Sequence, residues 1–201
     1  FYQQALTLHM VPVTLIGVAI STAAFPQMTE RLSQGRPDLF KKELQTILRV
    51  IVWLAMPTAV IAYFARGYLA NFLFNGGNSI VASTLGILTI AILFRAVYHI
   101  ASRAFYAQQD TKTPLKISLF TIGLNIFLAV LFTMQFNWGI YGLAWAQSIV
   151  AAVEVVILFT VISRRIKGLF DAVMQRALVL MAVASIGTAI VTFQTVKIFE
   201  L

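Results

Sequence analysis

Residues 83–105 read STLGILTIAILFRAVYHIASRAF, and this stretch decides the fold class. It is long enough to cross the apolar core of a bilayer, which takes about 20 largely apolar residues in a helix. Five further stretches have the same length and character, at residues 5–25, 46–64, 115–134, 141–162 and 172–193. Membrane-spanning β-strands would be about ten residues long and would alternate in character, which these stretches do not. The sequence therefore predicts an all-α membrane protein with six transmembrane helices.

The composition agrees with this fold class. Hydrophobic residues make up 60% of the chain, charged residues 11%, and the mean hydropathy is +0.87. Soluble domains carry about a quarter charged residues, so this chain has too few polar groups to cover a water-facing surface. The absence of cysteine excludes disulfides and thiolate metal sites. Lysine and arginine number 15 against 7 acidic residues, but their positions matter more than their sum in a membrane protein, and we expect no nucleic-acid partner.

Basic residues are unevenly distributed among the links that join the six stretches. The second and fourth links and the tail hold at most one basic residue each, Arg66 and Lys197. The first, third and fifth links hold most of the others: Arg31, Arg36, Lys41, Lys42, Lys112, Arg164, Arg165 and Lys167. Because basic links stay in the cytoplasm, the odd links are predicted to be cytoplasmic, with the first helix running from outside to inside.

Two links contain apolar residues of their own. Residues 28–47 mix leucine and phenylalanine with charges, which indicates either an amphipathic helix on the cytoplasmic interface or a solvated loop. Residues 67–78 predict a short helix at the outer surface, stopped by Gly76 and Gly77.

Prolines mark ends and interruptions of the predicted spans. Pro26 is predicted to close the first span, and Pro114 opens the fourth. Pro12 and Pro57 lie inside spans, where each removes a backbone hydrogen bond and is expected to kink its helix.

Three basic side chains follow one face of the third stretch. Arg95, His99 and Arg103 are spaced i, i+4 and i+8, which places them on one side of a helix. A charge at membrane depth costs from about 2.5 kcal/mol upward, so it is kept where it meets a cavity, a partner or the interface. We interpret Arg95 as functional or ion-paired, and the stripe as suited to a phosphate-bearing substrate. Arg103 is near the cytoplasmic end and is more simply explained by snorkelling to the interface.

Polar residues on the fourth and fifth stretches complete the candidate site. Glu154 is the one acidic residue deep in a predicted span. It can pair with Arg95, which we favour, or take part in ion coupling. Asn125 shares a helix face with Ser118 and Thr121, and a buried amide needs several hydrogen-bond partners.

A milder stripe occurs on the first stretch, where Thr7, Thr14 and Ser21 repeat every seven residues beside Gly17. Small and hydroxyl-bearing residues let membrane helices pack closely and hydrogen-bond to one another. We therefore interpret this stripe as helix packing.

The sequence contains no catalytic constellation. It has no HExxH, GxSxG or phosphate-binding loop, and its two histidines lie on different predicted spans. We expect no catalytic residue, no metal and no cofactor, and a transporter rather than an enzyme.

Four segments carry motifs known from one family of membrane proteins. They are residues 11–26, VPVTLIGVAISTAAFP; 73–77, LFNGG; 103–114, RAFYAQQDTKTP; and 139–146, GIYGLAWA. These segments resemble, in order, the eighth span, an outer loop, the loop between the tenth and eleventh spans, and the twelfth span of the MurJ (MviN) family. That family consists of proposed flippases for lipid II, the peptidoglycan precursor. The resemblance covers nearly the whole chain, and only the last span is generic.

The resemblance implies spans eight to about thirteen of a protein built from two pseudo-symmetric six-helix lobes, a MATE-like (MOP) exporter fold. Residues 1–168 would be C-terminal-lobe helices and residues 169–201 an additional C-terminal transmembrane helix, with the N-terminal lobe outside this sequence. We also expect a piece of a longer protein, because Phe1 leads straight into an apolar stretch without a signal-peptide pattern. Many members carry an arginine where this chain has Thr7, so a cationic group is absent at that position.

The resemblance also implies a function, the movement of lipid II from the inner to the outer leaflet of a bacterial cytoplasmic (inner) membrane. The partners would be lipid II or a similar undecaprenyl-pyrophosphate-linked glycan, membrane lipids, and the N-terminal lobe. Arg95, His99 and Arg103 would meet the anionic head group, with Asn125 and Glu154 setting the polarity of the cavity. Two alternatives remain: a related exporter of another lipid-linked glycan or a drug, and a non-transporting membrane scaffold for cell-wall synthesis.

Overall fold

The computed structural model describes residues 1–73 and 79–199, and within them six helices are long and apolar enough to cross a membrane. These spans are Tyr2–Ser33, Pro37–Phe64, Ser79–Ala107, Lys112–Gln135, Ile140–Arg165 and Ala172–Ile198. None of the residues in this described part lies in a β-strand. The predicted all-α membrane fold with six spans is therefore confirmed, and each helix extends beyond its apolar stretch into more polar turns.

Two of the spans contain π-helical segments. The first span consists of α1 (Tyr2–Pro12), a π-helical segment at Val13–Val18, and α2 (Ala19–Ser33). It is followed by α3 (Pro37–Phe64), α4 (Arg66–Leu73) and α5 (Ser79–Ala107). The fourth span is α6 (Lys112–Val130), which ends in a second π-helical segment at Leu131–Gln135. The chain continues as α7 (Ile140–Arg165) and α8 (Ala172–Phe199).

Helix α5 lies at the centre of the fold and packs against α1, α2, α3, α4 and α7. Its alanines at 91, 96, 101 and 104 are fully buried, and such small side chains let membrane helices approach closely. A close approach occurs at Gly17 in the first span, where an added Cβ would lie 2.6 Å from the Cα of Ala96. The predicted packing role of Gly17 is thus confirmed.

Helices α6 and α8 lie at the periphery. α6 packs mainly against α7, and α8 packs against α3. Their outward faces are covered with large apolar side chains such as Leu119, Phe127, Leu180 and Val191, each more than 60% exposed. In a membrane-spanning chain this surface is the one that meets lipid.

The predicted interfacial helix of the first link is wrong, and so is the alternative of a solvated loop. α2 continues to Ser33 and α3 begins at Pro37, so only three residues separate them. The apolar residues of the segment face the protein, since Met28, Phe40 and Leu44 are at most 1% exposed. The amphipathic pattern belongs to the ends of two packed membrane helices, whose apolar faces are covered by protein side chains.

Prolines interrupt the spans less than predicted. Pro26 does not close the first span, because α2 runs through it. A proline inside a membrane helix is tolerated where neighbouring groups satisfy the freed backbone. At Pro12 the π-helical segment follows directly, whereas α3 stays α-helical through Pro57.

The short helix predicted after the second span is confirmed as α4, and its place at the outer surface stays a prediction. Its predicted stop at Gly76 and Gly77 lies outside the described residues, as does most of the LFNGG motif.

Candidate functional site

An ion pair between a partly buried arginine and a buried glutamate joins the third and fifth spans. Nη1 of Arg95 on α5 lies 3.3 Å from Oε2 of Glu154 on α7, and the two side chains are 24% and 6% exposed. The helices run parallel, because Ser148, earlier on α7, donates to the carbonyl of Ile87, earlier on α5, at 3.0 Å. The favoured prediction, a pair between the two charges at membrane depth, is confirmed.

Hydroxyl groups from α6 complete the surroundings of the Glu154 carboxylate. Ser118 Oγ donates to Glu154 Oε1 at 3.0 Å. Thr121 Oγ1 lies 3.1 Å from both Glu154 Oε1 and the Ser118 carbonyl, so its one proton is shared between these two acceptors. Because Ser118 gives its proton to the carboxylate, the Tyr98 hydroxyl at 3.3 Å is the donor to Ser118 Oγ. Oxygen Oε2 is left to Arg95. The charge of Glu154 is therefore balanced by one cation and two hydroxyl donors, as a carboxylate at this depth requires.

The ion pair borders a polar cavity of about 350 Å³ between α5, α6 and α7. Asn125 lines it and donates from Nδ2 to Gln147 Oε1 at 3.3 Å. Gln147 also lines a second cavity of about 700 Å³ on the α1 side. Gln147 therefore borders both the cavity beside Arg95 and the cavity on the side of the first span.

The other two basic residues of the α5 stripe do not reach this cavity. His99 is half-buried and its ring contacts Tyr98 edge to face, with centroids 5.6 Å apart. Arg103 donates to Thr22 Oγ1 at 3.3 Å and lies over the Phe25 ring at 5.5 Å, so it turns toward α2. Spacing of i, i+4 and i+8 drifts around a helix, which separates the ends of the stripe. The grouping of the three as one substrate-binding stripe stays a prediction.

The second cavity is lined by residues whose role differs from the sequence-based prediction and by one residue for which no role was predicted. Thr7 and Thr14 are exposed, line this cavity and hydrogen-bond to their own helix backbone. Their predicted packing role is wrong, because only Ser21 and Gly17 of that stripe are buried.

His9 also lines the second cavity, and the sequence predicted no role for it. Its Nδ1 lies 2.8 Å from the Leu6 carbonyl, so Nδ1 carries the proton, and no residue that the structure describes hydrogen-bonds to its buried Nε2.

A second charged cluster lies at the inner end of α7. Arg165 Nη2 lies 2.7 Å from Asp110 Oδ2 in the α5–α6 loop. Asp110 also accepts the Thr113 hydroxyl at 2.6 Å and the Thr113 N–H at 3.0 Å. These hydrogen bonds from Thr113, followed by the contact with Arg165, lower the pKa of Asp110 to about 2. This cluster fixes the loop in the RAFYAQQDTKTP motif to the end of the fifth span.

Together these features define a class of protein, a multi-pass α-helical membrane protein with a polar, ion-paired centre between its spans. In the part of the chain that the structure describes, no three His, Asp or Glu side chains lie close enough to hold a metal ion.

Comparison with known proteins identifies the family. The profile of the family described as "Lipid II flippase MurJ" matches residues 1–200. The chain is 23% identical over 185 residues to a probable lipid II flippase MurJ of Bdellovibrio bacteriovorus, covering 89% of this chain and 35% of that protein. It is 32% identical over 114 residues to the lipid II flippase MurJ of Burkholderia cenocepacia, covering 54% and 22%. The chain belongs to the lipid II flippase MurJ family.

A solved structure shares the fold. It is titled "Lipid II flippase MurJ, inward closed conformation" and matches with a TM-score of 0.73 at 20% identity, covering 98% of this chain and 45% of that one. The chain spans about a third of the length of the curated relatives it matches.

Proposed function

We propose that this chain forms the second lobe of a flippase that moves lipid II from the inner to the outer leaflet of a bacterial cytoplasmic membrane. Residues 1–168 are the helices of the lobe, and residues 169–201 are an additional C-terminal transmembrane helix. The packing of α8 mainly on α3 supports this division. An N-terminal lobe outside this sequence closes the other side of the substrate path. No covalent bond changes in this reaction, so the protein acts as a transporter and not as an enzyme.

The observation that carries the proposal is the position of Arg95 beside a polar cavity between the spans. An ionisable group at membrane depth marks a substrate or ion pathway more often than a packing contact. Within the described residues Arg95 donates one hydrogen bond, to Glu154. A guanidinium has five N–H donors, so others remain for an anionic group entering the cavity.

The substrate chemistry fits these donors. A pyrophosphate offers oxygens that an arginine binds in a bidentate manner, and such a group competes with Glu154 for Arg95. Asn125 and Glu154 then set the polarity around the head group, while the polyprenyl tail stays in lipid. His99 and Arg103 act further toward the cytoplasmic end, where the head group enters. We expect a membrane potential or an ion gradient to supply the energy.

The test uses the full-length protein that carries this chain, in a strain depleted of its own flippase. Outer-leaflet lipid II is measured with a membrane-impermeant label and normalised to the amount of protein in the membrane. Arg95→Gln is expected to lower exposure at least about tenfold, as the loss of a hydrogen bond to a charged group predicts. Arg176→Gln on the exposed face of α8 removes the same charge and is expected to leave exposure unchanged.

Two outcomes point to the alternatives. Normal lipid II exposure in cells that lack this protein would move the assignment to an exporter of another lipid-linked glycan or a drug. Full complementation by Arg95→Gln/Glu154→Gln would favour a scaffold, because the polar centre would then be dispensable.

A further inference from the structure

The inner ends of three spans enclose a polar cavity that is separate from the Arg95 site. It has a volume of about 450 Å³ and is bordered by Asp38, Lys41, Gln108, Arg165 and Lys167. The first span ends at Ser33, the second begins at Pro37 and the fifth ends at Arg165. Span ends mark the head-group region of a bilayer, and the basic links place this end on the cytoplasmic side.

Two lysines at this cavity have no acidic partner. The structure describes two ion pairs in residues 1–73 and 79–198, Arg95–Glu154 and Arg165–Asp110, and neither involves Lys41 or Lys167. Lys41 Nζ donates to the Lys167 carbonyl at 3.2 Å. An ammonium group has three donors, so two N–H groups of Lys41 are still available.

The chain holds Lys41 in this place through a glycine. Gly168 has a φ of 74°, and an added Cβ would lie 2.9 Å from Lys41 Nζ. The left-handed backbone at Gly168 turns the link between α7 and α8 over the lysine, and the missing side chain makes room for its ammonium group. The Lys41 ammonium group therefore lies against the Lys167 carbonyl and Gly168, at the link between α7 and α8.

The acidic residues near the cavity repel an anion less strongly than the basic residues attract it. Asp38 lines it, but this carboxylate lies in the first turn of α3, where the helix N-terminus favours negative charge. Asp110 is engaged with Arg165. The cations Lys41, Arg165 and Lys167 thus face two carboxylates, and a positive charge is left over.

We propose that this cavity binds the phosphate of an anionic phospholipid of the inner leaflet. The lysines and the Gln108 amide supply donors to the phosphate oxygens. Leu32 and Ile166, which also line the cavity and are partly exposed, give the adjoining acyl chains an apolar contact. A membrane lipid fits better than a free phosphate, because the cavity combines cations with apolar side chains at the depth where head groups lie. This site is independent of the transported substrate.

The test measures binding of phosphatidylglycerol to the purified full-length protein by native mass spectrometry from detergent. Phosphatidylcholine with the same acyl chains and inorganic phosphate serve as comparison ligands. Lys41→Gln/Lys167→Gln is expected to weaken phosphatidylglycerol binding by about fivefold for each lysine. Lys112→Gln/Lys116→Gln removes two exposed charges from α6 and is expected to change binding by less than about twofold, because neither lysine lines the cavity.

Two further variants guard against misfolding of the lysine double variant. Lys41→Arg keeps the charge and is expected to retain binding, and Asp38→Asn removes an opposing charge and is expected to strengthen it. Equal losses in both double variants, binding of phosphatidylcholine as tight as that of phosphatidylglycerol, or weaker binding in Asp38→Asn would each overturn the proposal. Displacement of the lipid by millimolar phosphate would assign the cavity to a soluble anion and would also overturn it.

Discussion

Two arginine–carboxylate pairs tie α7 to its neighbours, one midway along α7 and one at its C-terminal end. Arg95 and Glu154 are 3.3 Å apart with side chains 24% and 6% exposed. Arg165 and Asp110 are closer, at 2.7 Å, but their side chains are 39% and 20% exposed. Both carboxylates also accept hydroxyl hydrogen bonds. The chemistry is the same, and the difference is depth, about 16 Å along the helix.

The burial of each pair, more than the distance between its atoms, determines how much free energy is lost when the pair is broken. Breaking a buried pair leaves an uncompensated charge in a medium that solvates it poorly. Breaking an exposed pair leaves two groups that water can solvate, so the shorter contact is the weaker one in energy.

The largest expected effect comes from removing one partner of the deep pair. Arg95→Met keeps an unbranched apolar stem but removes the guanidinium group, and it leaves the Glu154 carboxylate with hydroxyl donors alone. We expect the free energy of unfolding to fall by about 3 kcal/mol. The measurement is reversible unfolding of the purified protein in detergent or bicelles.

The double variant Arg95→Met/Glu154→Gln separates stability from function. The glutamine amide can still accept from Ser118 and Thr121, and no charge is left unpaired, so most of the lost stability is expected to return. Lipid II exposure in cells is expected to stay low, because the arginine is missing. If the double variant were as unstable as Arg95→Met alone, the loss of stability would not come from an unpaired charge on Glu154.

The next largest effect concerns the packing that holds Arg95 in position. Gly17→Ala forces a methyl group to within 2.6 Å of the Cα of Ala96, the residue after Arg95. Because backbone cannot yield as a side chain does, we expect a loss of about 2 kcal/mol. Gly123→Ala on α6 is the matched control, since an added Cβ there meets nothing within 4 Å. Equal stability of the two variants would show that α1 and α5 can move apart without cost.

The spans could be predicted from sequence because a bilayer demands a long apolar helix, and few other structures satisfy this demand. The structure of the first link could not be predicted from sequence, since the apolar side of an amphipathic segment can contact either lipid or protein. Only the fold places Phe40 and Leu44 against the inner core. A similar ambiguity led to the wrong assignment of Thr7 and Thr14, whose spacing fits packing although both face a cavity.

The charged centre was predictable because Arg95 and Glu154 are costly wherever they lie in a span, so each needs a partner. The hydrogen bonds from Ser118 and Thr121 to Glu154 depend on how α6 is rotated against α7. The sequence around these residues does not reveal that rotation. His9 was overlooked for a similar reason, since its unpartnered Nε2 becomes visible only once the surrounding helices are in place.

A smaller effect is expected at the inner edge. Asp110→Ala removes both the ion pair and the acceptor for the Thr113 N–H in the first turn of α6, and we expect a loss of about 1 kcal/mol. Asp110→Asn keeps an acceptor for that N–H and is expected to cost less than half as much. Both values come from the same unfolding measurement as for Arg95. A loss at Asp110 as large as that for Arg95→Met would break the contrast between the pairs.

The smallest effect is a pH dependence confined to the exposed pair. The pKa of Asp110 is lowered from 3.8 to about 2 by hydrogen bonds from Thr113 and by Arg165. A lowered pKa means that the ionised carboxylate stabilises the fold above its ordinary pKa, and that this contribution disappears as the pH falls through about 2. The difference in unfolding temperature between the wild-type protein and Asp110→Asn is therefore expected to be positive near pH 5 and to shrink toward zero near pH 2. Other acidic residues titrate in both proteins and cancel in this difference. A difference that grows as the pH falls would mean that Thr113 and Arg165 do not favour the ionised carboxylate, and the exposed pair would then contribute nothing to holding the loop on α7.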